Sequence, residues 1–277
     1  MLAGENSLSA FAGVNSESPS KKPVSPRQEN AILRALGRSV NPTDRGDLEP
    51  EMAAAFSHRD LRDRLKSIAA ALGSGRLILP VLPHEVAPEG NCPSGQLPQV
   101  SLKGVTSARA VPIFSSLSAF EKAVAAGLAA QIAQGKTRQQ VRPLPVRARA
   151  LAIAALDSPG RMLLDGTYLL PRTLLNVLVC ADTWVPSWEN QDFLTLIAQL
   201  LQETLPAATW KIIPQEAAPD QLLVWVDPAT PALAQSLNAL QKGINALESL
   251  EAAADLLEVT PLPAGRTTDS QPSGFTL

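Results

Sequence analysis

Cysteine and histidine are scarce in this chain, with two of each in 277 residues. Cys92 and Cys180 form neither a C-x-x-C pair nor a disulfide framework, and His58 and His84 stand far in sequence from any second soft ligand. With so few soft ligands a structural zinc site is not expected, and no cofactor motif is visible. Aromatic residues make up 4%, too few to suggest a base-stacking surface. An excess of one charge is also missing. A formal net charge of −2 gives no general attraction to nucleic acid or to an anionic membrane, so neither DNA nor a membrane is expected as a partner. No apolar run is long enough to span a bilayer, since even the alanine-rich stretch 124–133 falls short of the ~20 residues required. The opening Met1-Leu-Ala-Gly-Glu-Asn lacks a basic region and an apolar region, so no signal peptide is expected and the cytoplasm is the expected location.

What is present suits an α/β protein of about two domains. Hydrophobic residues reach 45%, enough for real cores. Residues 1–50 are rich in Ser, Pro and Asn and read as a disordered tail with one helical turn at 31–36. Residues 51–183 form the expected N-terminal α/β domain, 184–263 a smaller C-terminal domain, and 264–277 a second disordered tail.

A helix is expected over 58–72, capped by Ser57 and stapled by Phe56 and Leu61, with Leu61, Leu65, Ile68 and Leu72 as its apolar stripe. Gly73 fits a left-handed position beyond its end. Residues 76–83 read as a strand buried on both faces. Strands over 99–103 and 109–115 precede a helix capped by Ser116 or Ser118, whose inner stripe is Leu117, Phe120, Val124 and Leu128. Residues 141–146 must be extended, because Arg142 and Leu144 each precede a proline. A helix over 147–156 follows, then a hairpin turning at Asp165-Gly166, then a helix from Pro171 to about Val179. The C-terminal pattern is α-β-β-α-β: a helix after Asn190, strands over 209–213 and 222–226, a helix capped by Thr230-Pro231, and a strand over 256–260. That order suggests one sheet with helices packed on it. Trp210 and Trp225 are expected in its core.

Few residues suggest chemistry. Ser115 and Ser116 follow a strand and open a helix, as a nucleophile would, but no Gly-x-Ser-x-Gly flanks them and capping is the expected role. Gly73-Ser-Gly75 closes a helix instead of following a strand, so it reads as a cap and not a phosphate loop. Arg59, Arg62 and Lys66 fall on one helix face with Asp60 and Asp63 interleaved, and Asp60 can pair with Arg64. A solvated face is expected there. Cys180 reads as a small buried hydrophobe. The candidate partner-contacting residues are Arg142, Arg147 and Arg149, which present fixed charge around a Pro-x-Pro strand, and Trp184 and Trp188, which could form a patch or wedge the domains together.

Arg76-Leu-Ile-Leu-Pro-Val-Leu-Pro83, Val111-Pro-Ile-Phe-Ser-Ser-Leu-Ser-Ala-Phe120, Val141-Arg-Pro-Leu-Pro-Val146 and Leu163-Leu-Asp-Gly-Thr-Tyr-Leu-Leu-Pro171 occur in that order. Together they resemble the N-terminal domain of the SseB family, named for enhanced serine sensitivity, in its actinobacterial form. The likeness covers about 50–183, with a weaker likeness to the family's C-terminal region over about 184–263. Two departures are visible: a long segment 122–140 without tryptophan, and Asp165-Gly166 where many relatives carry Asp-Pro. The resemblance implies a mixed α/β fold, a cytoplasmic location and no catalytic motif, so no catalytic residue is carried over. The expected activity is that of a non-catalytic binding or adaptor protein with an unknown protein partner, and the resemblance implies a link to serine tolerance through the family name alone. Two alternatives stay open. One is a ribosome- or RNA-associated module using Arg142, Arg147 and Arg149, and the other an amino-acid or metabolite sensor with a cleft near Trp184 and Trp188.

Overall fold

The computed structural model describes residues 44–81, 97–102, 108–132 and 141–264. The expected turn at 31–36, His84 and Cys92 lie outside the described residues. The fold is α/β, with mixed sheets and helices on them.

Two helices, not one, open the N-terminal unit: α1 (Pro50–Phe56) and α2 (Leu61–Leu72). Pro50 in the first turn starts α1, where its missing N–H is no loss. Ser57 therefore closes α1, its N–H and hydroxyl both bonding Ala54 O. The cap expected of it belongs to Asp60, whose carboxylate accepts from Arg62 N at 2.8 Å and Asp63 N at 3.2 Å. With Asp60 committed to the cap, Arg64 turns instead to His58 O, Tyr168 and Glu216. Phe56 stacks on Tyr168, ring centroids 5.5 Å apart. Gly73 has φ −55° and is not left-handed. The glycine that matters is Gly75, where an added Cβ would lie 2.7 Å from Ala71 O as the chain folds back across the helix end.

β1 (Arg76–Val81) pairs antiparallel with the edge strand β4 (Arg142–Arg147), whose Pro143 and Pro145 suit an edge. Ile78 and Phe114 exchange both backbone hydrogen bonds, at 2.8 and 2.9 Å. This joins the pair to the sheet β2 (Val100–Ser101), β3 (Arg109–Ile113), β5 (Met162–Leu164) and β6 (Tyr168–Leu170). β3 and β5 run parallel, and the other pairs are antiparallel.

β1 is buried on both faces, as its sequence predicts. Leu77 and Leu79 enter the main core with α1, α2, α5 (Ala148–Asp157) and α6 (Arg172–Cys180). Ile78 enters a second cluster with Phe114, Phe120, Leu128 and Ile132, under α3 (Leu117–Ala125) and α4 (Leu128–Ile132). The hairpin turns at Asp165 (φ 52°) and Gly166 (φ 71°), the two positive φ values of a tight two-residue turn. Cys180 is exposed, contrary to expectation. It is the last residue of α6, off the stripe of Leu174, Leu175 and Leu178 that faces the core.

The C-terminal unit comprises α7 (Gln191–Thr204), β7 (Thr209–Ile213), β8 (Asp220–Val226), α8 (Leu233–Asn245), the short α9 (Leu250–Ala253) and β9 (Leu257–Pro263). Asn190 caps α7 by accepting from Phe193 N at 3.1 Å. β7 is antiparallel and β9 parallel to the central β8. Thr230-Pro231 does not cap α8. Thr230 N and Ala229 N are both held by Asp227 in a turn, and the helix starts beyond Ala232. Alternation decides which side chains the helices cover. Ile212, Leu222, Val224 and Val226 meet Phe193, Ile197, Leu240 and Ile244 in one core. Trp225, expected in that core, points to the other face beside Leu223, while Trp210 packs partly against the core. Among the described residues no helix is long and apolar enough to cross a membrane.

Candidate functional site

Arg142 and Arg147 are exposed at the two ends of β4. Five residues apart on a strand, they point to opposite faces and their Cα atoms are about 16 Å apart. Arg149 is spoken for locally, donating from Nη2 to Val179 O at 2.8 Å near the end of α6, where helix carbonyls lack partners. The three arginines do not converge on one anion site.

Trp184 and Trp188 meet edge to face, centroids 5.8 Å apart. Trp188 is 8% exposed in the C-terminal core, and Trp184 packs against both the N-terminal and C-terminal cores. Trp184 Nε1 donates to Thr173 Oγ1 at 3.2 Å. The pair wedges two cores together and does not present a free patch.

That seam has further polar ties. Asp255, 4% exposed, accepts from Arg161 Nε at 2.6 Å and Nη2 at 2.5 Å, and from Arg172 N at 3.1 Å. Of the α2 basic face, Arg59 and Lys66 are exposed as expected, and Arg62 alone is half-buried at the seam. Arg62 Nη2 donates to Ile212 O at 2.7 Å and Lys66 meets Glu189 at 3.0 Å. At the seam's centre Ser187 Oγ donates to Asp220 Oδ2 at 2.5 Å. Burial pushes the Asp220 carboxyl up to about 7 from 3.8, against the Ser187 bond and the Arg62 charge and with help from Asp255. The cavity between Trp184, Trp188, Asp220 and Asp255 has a volume near 20 Å³, room for about one water. The indole N–H of Trp188 is buried without an acceptor among the described residues.

A larger cleft, about 820 Å³, opens beside α3. One wall is the segment 44–48, strapped to the domain by Arg76, which holds Asp44 (Nε to Oδ2, 2.7 Å) and Asp47 O (2.6 Å). Gly46 has φ 78°, and its carbonyl accepts from Leu117 N at 2.7 Å. A Cβ there would press on Leu117 Cβ at 3.0 Å. Asp165 and the α3-side residues Ser116, Ser118, Glu121 and Lys122 also line the cleft. Asp165 accepts from Ser115 Oγ at 2.6 Å and Ser115 N at 2.8 Å. Burial raises its carboxyl above 3.8, partly offset by those two bonds. Ser116 accepts from Ala119 N at 3.2 Å as the helix cap. Both hydroxyls that resembled nucleophiles are thus engaged in structure, and Ser115 is only 4% exposed. The mixed rim of Arg45, Asp47, Glu121 and Lys122, with Leu48 39% exposed beside it, offers charges of both signs and an apolar foothold. The Ser115–Asp165 tie spans 50 residues. The only sequence signal for it was an Asp at a turn, which reads first as backbone geometry.

Among the described residues no three of His, Cys, Asp and Glu gather to hold a metal. No family model, no curated protein and no solved structure matches this chain.

Proposed function

We propose that this chain is a non-catalytic adaptor, SseB-like in its N-terminal part, that seats a segment of a partner protein in the cleft beside α3. The observation that carries the reading is the state of that cleft's polar groups. Ser115 is tied to Asp165 and Ser116 to the helix end, while the outer rim keeps Arg45, Asp47, Glu121 and Lys122 around the exposed Leu48. Internally satisfied polar groups favour holding a shape over chemistry. A rim of both signs favours orienting a polypeptide that also carries both signs. Arg142 and Arg147 point to opposite faces of β4 and Arg149 is engaged by Val179 O, so they present no shared cationic surface to a phosphate backbone, which weakens the RNA reading. The small volume between Trp184 and Trp188 weakens the metabolite reading at that place.

The test is co-purification from the native host's lysate, with and without nuclease, using wild type and the rim reversal Glu121→Lys/Lys122→Glu. The reading expects a discrete protein that persists through nuclease and is lost from the reversal. Ribosomal proteins released by nuclease, or a partner indifferent to the rim, would overturn it.

A further inference from the structure

The outer face of the C-terminal sheet is left bare by both helices. The side chains of Ile213, Leu223, Trp225 and Leu262 point away from α7 and α8 and belong to none of the four cores formed by the described residues. All four are partly exposed. Register puts Leu223 and Trp225 along the central strand, Lys211 beside Leu223 on β7, and Glu258 on β9 one row away. The face therefore carries Leu223 and Trp225 on its central strand, a single cation, Lys211, on one edge strand and a single anion, Glu258, on the other.

We infer that this face self-associates, with a second copy of the chain as its occupant. A twofold axis parallel to the strands lays β7 of one copy over β9 of the other. Leu223 and Trp225 then meet their own equivalents across the roughly 10 Å that separates packed sheets. Lys211 comes within one row, about 7 Å along the strand, of the other copy's Glu258, a distance a lysine stem covers. Turning the axis across the strands would set Lys211 edge against Lys211 edge, which like charges oppose. The two-sided charge pattern is complementary to itself in the first arrangement, and that selects a second copy as the occupant. The face comprises about nine residues against the roughly 20–30 a side of a standard interface, so the association is weak and concentration-dependent. Together with the cleft, it would present two adaptor sites on one particle and raise avidity for a bivalent partner.

Sedimentation velocity on the full chain, from about 5 to about 500 μM, tests this. The expected result is a monomer–dimer equilibrium. It should weaken at least about tenfold in Leu223→Asp, weaken in Lys211→Glu, and return in the double swap Lys211→Glu/Glu258→Lys. Circular dichroism and melting confirm that each variant folds. A wild type that stays monomeric throughout would overturn the inference. So would dimers indifferent to Leu223→Asp, or a double swap no better than the single. Oxidative footprinting of Trp225 adds an arm. Protection in a monomer means another segment of this chain covers the face, which also refutes self-association. None of these outcomes touches the cleft, so the adaptor reading stands or falls separately.

Discussion

Asp220 should make the protein less stable as pH rises through neutrality. Its carboxyl sits at the seam, accepting from Ser187 at 2.5 Å, and burial raises it to about 7 from 3.8. Between those values the folded chain holds a proton that the unfolded chain has released, so stability falls with rising pH across that window and the full penalty is present above it. The gap corresponds to about 4 kcal/mol at 1.36 kcal/mol per unit. The side chain keeps some contact with solvent, which reduces the expected effect to about 2 kcal/mol. Asp220→Asn removes the ionisation while its carbonyl still accepts from Ser187. Urea unfolding followed by tryptophan fluorescence is a suitable assay, because Trp188 lines the same cavity. The variant should match wild type near pH 4 and exceed it by about 2 kcal/mol near pH 8. A constant difference between the two across that range would refute the reasoning.

Other outcomes follow from the same contacts. Arg161→Ala leaves Asp255 buried without its bidentate partner and should cost about 3–5 kcal/mol, with Asp255→Asn in the same chain recovering part of it. Thermal melting of the two variants checks both statements. Gly75→Ala drives a Cβ to 2.7 Å from Ala71 O, so it should cost about 1–3 kcal/mol by denaturant titration, whereas Gly166→Ala meets open space and pays mainly for its positive φ. Adjacent leucines on β8 should behave oppositely. Leu222→Ala, in the core at 0% exposure, should cost about 2–5 kcal/mol, and Leu223→Ala, on the bare face, under about 1 kcal/mol.

Local signals were legible where one short pattern decides one element. The stripe of Phe193, Ile197 and Leu201, capped by Asn190, became α7. Residues 209–213 became β7 without adjustment, and Asp165-Gly166 became the hairpin turn because both residues tolerate positive φ. Boundaries failed where two signals competed. Ser57 and Asp60 are both capable caps, and Pro50 decided between them by starting a separate helix. Trp225 failed for a different reason. A large aromatic in a strand reads as core, but strand alternation gave the inner face to Leu222, Val224 and Val226. The polar ties were hidden by distance along the chain. Arg161 and Asp255 are 94 residues apart and Arg62 and Ile212 are 150 apart, and no local pattern marks such pairs. The cleft was illegible for the same reason, being assembled from 44–48, α3 and the hairpin turn.

The most direct test of the adaptor account is the comparison of wild type with the rim reversal Glu121→Lys/Lys122→Glu in co-purification from nuclease-treated native lysate. The account predicts one protein retained by wild type and lost from the reversal, with the reversal as stable as wild type on melting. The same protein bound equally by both, or a turnover of substrate that survives purification and disappears on a single substitution at the cleft, would contradict it.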